Sequence, residues 1–177
     1  MSRTTIIGIW HGEKIESLEE LANSWGSAPP VWEAMAERYL NCRDSYNVPG
    51  TGWMQLGDKL WDLAKRKDIP MEHRAVFMLT FDRAYVAKKN YPRMVEAIDQ
   101  FLKDFPPKAG TVNHWRRIIG VLHIHDGRDS SNAPGIGLYC SSVSENPFVG
   151  PWNEEKKEND EPDWKNIYEI FEVLEQP

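Results

Sequence analysis

Apolar residues are most concentrated between Pro70 and Lys89, where they point in nearly every direction around a helix. A helix that is apolar all round needs neighbours on every side. Pro70 suits the first helical position, and Glu72 lies in the first turn, where the helix dipole favours a negative charge. The pattern therefore predicts a central buried helix over Pro70 to Lys89.

Asp82 is a carboxylate well inside this predicted helix, and its neighbours at i±3 and i±4 are apolar or aromatic. A buried carboxylate needs a hydrogen-bond or ionic partner. We interpret Asp82 as a structural group held by a tyrosine, a tryptophan N–H, or one of Arg116 and Arg117. A catalytic or metal-binding acid in a dry site is the alternative.

Amphipathic patterns predict further helices on both sides of this segment, with capping residues or prolines at several of their starts. The predicted helices cover residues 17–25, 30–39, 53–64, 92–105, 111–122 and 162–174. In the last of these, Glu169, Glu172 and Glu175 are expected to face water. A strand over residues 167–174 is the alternative for that segment.

Two segments have the composition of strands. Residues 4–10 are β-branched and aromatic, and residues 136–143 follow a turn-rich segment. Residues 118–125 also alternate, so a strand is the alternative to the end of the 111–122 helix. We expect the two strands to pair beside a helical body.

Together these patterns predict an α+β, mainly α-helical fold in a single globular domain over residues 1–150. About six helices pack round the central helix, and a small strand pair or three-strand sheet lies at one edge. Residues 151–177 are expected to form an acidic loop and a C-terminal element packed on this body. A chain of 177 residues suits this division, since domains commonly run ~100–200 residues.

Charge is distributed unevenly along the chain. Residues 1–142 hold 17 acidic and 18 basic side chains, whereas residues 143–177 hold 10 acidic and 3 basic ones. The body is therefore balanced and the C-terminal part is acidic. This distribution argues against general nucleic-acid binding, which needs a basic excess.

Cysteine usage and hydropathy suggest a compartment. Cys42 and Cys140 are the only cysteines, and they have neither metal-ligand spacing nor the number that a disulfide scaffold requires. The longest uninterrupted apolar run is far shorter than the ~20 residues that span a bilayer. We therefore expect free thiols, no membrane association and a cytoplasmic location.

The pattern His123-x-His125-Asp126 is the sharpest chemical signal in the chain. On a strand both imidazoles lie on one face, and the carboxylate completes part of a divalent metal site of the hydrolytic type. On a helix the two imidazoles point about 200° apart, and the site is lost. A metal-dependent hydrolase using these three residues is therefore the alternative function, with a divalent metal ion as its cofactor.

Trp152 and Trp164 bracket the acidic segment 153–163, and aromatic residues beside a charged loop are typical protein-interaction anchors. The alternative is that both rings pack the tail onto the body. The chain has no nucleophile elbow and no phosphate-binding loop. We therefore expect a non-enzymatic interaction module without a cofactor, an inhibitor or accessory factor that binds another protein through these two tryptophans.

Overall fold

The computed structural model describes residues 3–42, 52, 55–106, 112–129, 131–140 and 146–176. Within them, a five-stranded mixed sheet and a separate two-stranded sheet are present. The strands are β1 Arg3–Trp10, β2 Lys14–Ala22, β3 Ala84–Ala87, β4 Gly135–Cys140, β5 Trp152–Asn153, β6 Glu158–Asn159 and β7 Tyr168–Glu169.

The large sheet has the strand order β2-β1-β4-β3-β7. β1 pairs antiparallel with β2 and with β4, β3 pairs antiparallel with β4, and β7 adds parallel to β3. Gly12 has a φ of 81° in the tight turn between β1 and β2, a conformation that suits glycine. The N-terminal strand therefore lies inside the sheet, next to a strand from the last third of the chain.

Helices cover one face of this sheet. Six α-helices lie in the described part of the chain: α1 Ala28–Leu40, α2 Asp58–Trp61, α3 Met71–Leu79, α4 Tyr91–Asp104, α5 Val112–Asp126 and α6 Ile170–Leu174. The apolar sides of the helices pack on the sheet side chains that point towards the helical layer, such as Ile6 and Ile136. None of the helices in this part is long and apolar enough to cross a membrane.

The opposite face of the sheet is also apolar and is covered by the segment after residue 146. Ile7 and Ile9 of β1 form a second cluster there with Phe148 and Ile167. Gly137 lies under the Phe148 ring, and a Cβ at that position would lie 3.3 Å from the ring. The segment 146–167 therefore forms a second layer against the sheet.

The prediction of a mainly α-helical fold with a small strand pair or three-strand sheet at one edge is wrong. About a quarter of the described residues lie in strands, and the sheet has five of them. Its middle strands are buried on both faces, and such strands do not show the apolar-polar alternation of a half-exposed sheet. The fold is α+β.

The predicted central helix over Pro70 to Lys89 is also wrong. α3 ends at Leu79, and β3 begins at Ala84, so the apolar segment contains a helix followed by a strand. Thr80 follows the last residue of the helix, and its hydroxyl donates to the carbonyl of Phe77. A fully buried strand and a buried helix are both continuously apolar, so periodicity alone did not separate them.

The predicted helix over residues 17–25 is instead strand β2, followed by a 3₁₀ helix over Ser24–Gly26. The register of β2 against β1 changes between Ile6 and Ile7, which pair with Glu19 and Ser17. Leu18 is therefore the extra residue of a β-bulge, and a bulge interrupts the period of two. Because of this interruption, the apolar pattern of the sequence did not indicate a strand.

The helix predicted over residues 162–174 is found only over α6, after strand β7, and the one predicted over residues 53–64 only over α2 and a 3₁₀ turn at Asp62–Lys65. Three other predicted helices are confirmed. α1, α4 and α5 occupy the segments assigned to helices from their apolar stripes. β1 and β4 form the expected pair, and their direction is antiparallel. α5 remains helical to Asp126, so the alternative strand over residues 118–125 is wrong. Trp53 and residues 141–143, the ends of two predicted elements, lie outside the described residues.

Glu169 was predicted to face water, and this prediction is wrong, since the residue is only 4% exposed. Its Oε1 accepts hydrogen bonds from the backbone N–H of Ala87 and from Nδ2 of Asn90, both at 3.0 Å. Its Oε2 accepts from the backbone N–H of Glu172 at 2.7 Å and so caps α6. One carboxyl group therefore joins β3, the following turn and the C-terminal helix.

We expect Glu169→Ala to lower the free energy of unfolding by about 3 kcal/mol, because it leaves three donors of a buried site without their acceptor. Glu172→Ala is the matched control, since it removes only an exposed ion pair with Lys89 and should cost less than about 1 kcal/mol. Urea denaturation measures both changes. Equal losses would contradict the role assigned to Glu169.

Candidate functional site

The acidic segment after residue 151 forms an ordered β-hairpin from the strands β5 and β6. Trp152 pairs with Asn159 and Asn153 with Glu158, and Lys157 at φ 58° lies in the connecting turn. We call residues 151–160 the acidic hairpin. Its order is unexpected from composition alone, which predicts a solvated loop.

Asn153 holds the turn of the acidic hairpin together. Its Oδ1 accepts from the backbone N–H groups of Glu155 and Lys156, both at 3.1 Å. Its Nδ2 donates to Oδ1 of Asp160 at 3.0 Å, which ties the two arms to each other. The side chain thus replaces the backbone hydrogen bonds that a two-residue strand pair is too short to supply.

Residues that precede and follow the acidic hairpin in the chain anchor its base on the sheet. Phe148 precedes it and Ile167 follows it, and both belong to the buried cluster on the second sheet face. The backbone N–H of Asp163 donates to the carbonyl of Pro147 at 2.9 Å, which closes this base. A Cβ at Gly150 would lie 2.2 Å from the carbonyl oxygen of Asp160, so this close crossing requires glycine.

The structure separates the two tryptophans that were predicted as binding residues. Trp152 on the first arm of the hairpin is 55% exposed. Trp164 instead is half-buried against the second sheet face, with its ring centroid 5.3 Å from that of His11. Trp152 is therefore the more exposed of the two, while Trp164 helps to hold the segment on the sheet.

The acidic hairpin and the residues just after it carry a clear excess of negative charge. Residues 151–163 contain six acidic and two basic side chains. The two lysines are engaged within the hairpin, Lys156 with Asp160 and Lys157 with Glu154. The exposed indole of Trp152 thus belongs to a segment in which carboxylates outnumber basic side chains.

His123, His125 and Asp126 lie on α5, so the strand geometry on which the metal prediction depended is absent. His125 Nδ1 accepts a hydrogen bond from the backbone N–H of Ala133, and His123 points elsewhere, into a groove lined by Asp126. Among the described residues, no three histidine, cysteine or carboxylate groups are arranged to hold a metal ion. The hydrolase alternative therefore has no geometric support and stays an untested prediction.

Asp82 lies in the turn between α3 and β3 rather than inside a helix. The backbone N–H of Cys140 donates to its Oδ1 at 2.6 Å. Arg117, one of the two arginines predicted as alternative partners, pairs with Glu19 instead. Burial raises the pKa of Asp82 to about 7, although the Cys140 N–H and the Asn146 side chain both favour the ionised form. Its hydrogen bond to Cys140, the last residue of β4, makes it a structural acceptor.

Sequence reasoning missed a chain of hydrogen bonds through His73, which is 2% exposed. Its Nε2 lies 2.8 Å from Oδ2 of Asp104, and its Nδ1 lies 2.5 Å from the hydroxyl of Tyr39. In the neutral imidazole, donation to Asp104 leaves Nδ1 to accept from Tyr39. This Asp-His-Tyr order resembles a catalytic relay.

The surroundings of His73 favour a structural role for this relay. Its ring packs against Phe101 and Phe105, and both ring nitrogens are engaged. Burial raises the pKa of Tyr39. The three side chains instead join α1, α3 and α4. A histidine at an interior position of an apolar helix was the available sequence signal.

These features define an α+β protein whose five-stranded mixed sheet carries helices on one face and an anchored acidic hairpin on the other. Comparison of the chain with models of protein families, with curated proteins and with solved structures finds no match. Its function therefore has to be inferred from the geometry of its own residues.

We expect the stability of Asp82→Asn to depend less on pH than that of the wild type. The folded-state pKa of Asp82 is raised from 3.8 to about 7, so the folded protein holds a proton that the unfolded chain loses. The proton held by Asp82 stabilises the folded state fully below about pH 4, and this contribution to the free energy of unfolding is lost as the pH rises towards about 7. The amide stays neutral and keeps an acceptor for Cys140.

Urea denaturation at several pH values measures this effect. The variant and the wild type should be similar near pH 4, and the variant should be more stable near pH 8 by up to about 4 kcal/mol. Asp99→Asn, which changes an exposed carboxyl on α4, is the control and should retain the wild-type profile. Parallel profiles for Asp82→Asn and wild type would contradict the raised pKa.

Proposed function

We propose that this protein is an interaction module that binds another protein through the acidic hairpin. The observation that carries the proposal is Trp152, a large aromatic side chain left 55% exposed on an otherwise ordered and anchored element. Leaving an indole in water forgoes burial free energy, and contact with a partner recovers it. Tryptophan is also among the commonest hot-spot residues of protein interfaces.

The order of the hairpin supports the same proposal. Asn153 fixes its turn, and Phe148 and Ile167 fix its base, so Trp152 is held in one place before any partner arrives. A preorganised element loses little conformational entropy on binding, which favours affinity. A solvated loop of the same composition would lack this advantage.

The charge of the hairpin indicates the class of partner. Its unpaired carboxylates include Glu155 and Glu158, for which the described residues provide no ion pair. A basic surface on a protein complements such a patch, and complementary charge accelerates association. We propose a basic protein as the partner and an inhibitor or accessory role in a reducing, cytoplasmic compartment, without catalytic activity of its own.

Trp152→Ala should weaken partner binding at least about tenfold, because it removes the central apolar contact of the proposed interface. Quantitative affinity capture from source lysate identifies proteins retained by the wild type, and calorimetry with the purified partner measures the affinity. Trp25→Ala is the matched control, since Trp25 is 45% exposed but lies outside the hairpin. Equal binding by wild type and Trp152→Ala would exclude the hairpin as the contact.

The double variant Glu155→Lys, Glu158→Lys should slow association and flatten its dependence on salt, because charge steering is screened by ions. It leaves the two ion pairs inside the hairpin intact. Glu13→Lys with Asp99→Lys gives the same change in net charge at exposed positions elsewhere. Stopped-flow association rates measure the effect, and identical rates for the two double variants would argue against a basic partner surface.

A further inference from the structure

A groove with a volume of about 200 Å³ lies between α4 and α5, on the helical side of the sheet. Its apolar wall consists of Tyr91, Pro92 and Val95 from α4 and Leu122 from α5. Tyr91 is buried, and its hydroxyl donates to the carbonyl of Ala133 at 2.7 Å, which fixes the aromatic ring. The wall is therefore a preformed apolar surface.

Three ionisable side chains complete the lining of this groove, Glu96 from α4 and His123 and Asp126 from α5. His123 and Asp126 are one helical turn apart and so lie on the same side of α5. The negative charge of Asp126 contributes, after burial, to raising the pKa of Tyr91, so its field reaches the apolar wall. The groove thus combines an apolar wall with two carboxylates.

Within the described residues, neither Glu96 nor Asp126 forms an ion pair. Carboxylates elsewhere on the same helical layer do so, such as Glu172 with Lys89 and Glu175 with Arg93. Both residues are exposed and line the groove beside its apolar wall. A cation in the groove would supply the counter-charge that they lack.

The size of the groove limits what this cation can be. Sites for drug-sized ligands usually have volumes of about 300–1,000 Å³, so a space of about 200 Å³ suits a single side chain better. No three of the described ligand-type groups converge closely enough for a metal ion. An alkyl stem with a terminal cation, in contrast, matches both the apolar wall and the separated carboxylates.

We propose that the α4–α5 groove is a binding site for a basic side chain, an arginine or lysine of a protein partner. The aliphatic stem lies along Tyr91 and Leu122, and the charged end is held between Glu96 and Asp126. Arginine is the better fit of the two, because its guanidinium forms several hydrogen bonds to carboxylates at once. This site is on another surface than the acidic hairpin and does not depend on the function proposed for it.

The test uses three amino acid derivatives of similar size, acetyl-arginine amide, acetyl-lysine amide and acetyl-norleucine amide. The last has the apolar stem without the charge. NMR spectra of the intact protein, recorded on the His123 imidazole and the Leu122 methyl groups, follow each titration. We expect saturable shifts with a Kd of about 1–10 mM for the two cations, strongest for arginine, and binding at least about tenfold weaker for norleucine.

Variants separate the groove from general attraction to an acidic protein. Glu96→Gln with Asp126→Asn should remove the preference for the cations while the spectrum stays that of the folded protein. Glu155→Gln with Glu158→Gln changes net charge equally in the acidic hairpin and should leave the titrations unchanged. Equal shifts with all three derivatives, no saturable shift with the cations, or a loss in the hairpin variant as large as that in the groove variant would overturn the proposal.

Discussion

The central constraint on this fold is a sheet that is apolar on both faces. Ile6 of β1 points into the helical layer, whereas its neighbour Ile7 points to the opposite side, and both are buried. Because successive side chains of a strand alternate between faces, a strand that is apolar on both faces needs other residues packed against each face. The helices pack on one face, and the segment 146–167 packs on the other.

This requirement explains why an acidic, polar segment is ordered. Phe148 and Ile167 are drawn to the sheet by their apolar surface, and the residues between them have to turn back within a short distance. A hairpin meets this need, and Asn153 stabilises it where backbone pairing is brief. The exposed position of Trp152 is thus a consequence of how the second face is closed.

Local patterns in the sequence were sufficient for α1, α4, α5 and the pair of β1 with β4. They failed where the signal depends on tertiary neighbours. Leu18 lies in a bulge that interrupts the two-residue period of β2. Glu169 has the sequence pattern of a solvent-facing residue, and only its hydrogen bonds from Ala87 and Asn90, which are distant in sequence, reveal that it is buried. Trp152 and Trp164 bracket the acidic segment in the same way in the sequence, and only contact with the sheet distinguishes them.

The strand order also has a consequence for how the chain is made. β1 is synthesised well before its pairing partner β4, with Thr4 opposite Cys140 at a separation of 136 residues. Contacts so distant in sequence slow folding, and unpaired strands are prone to aggregate while they wait. During translation the edge of β1 that will pair with β4 therefore stays exposed until β4 has been made. We expect chaperones to be most important for the nascent protein in this period.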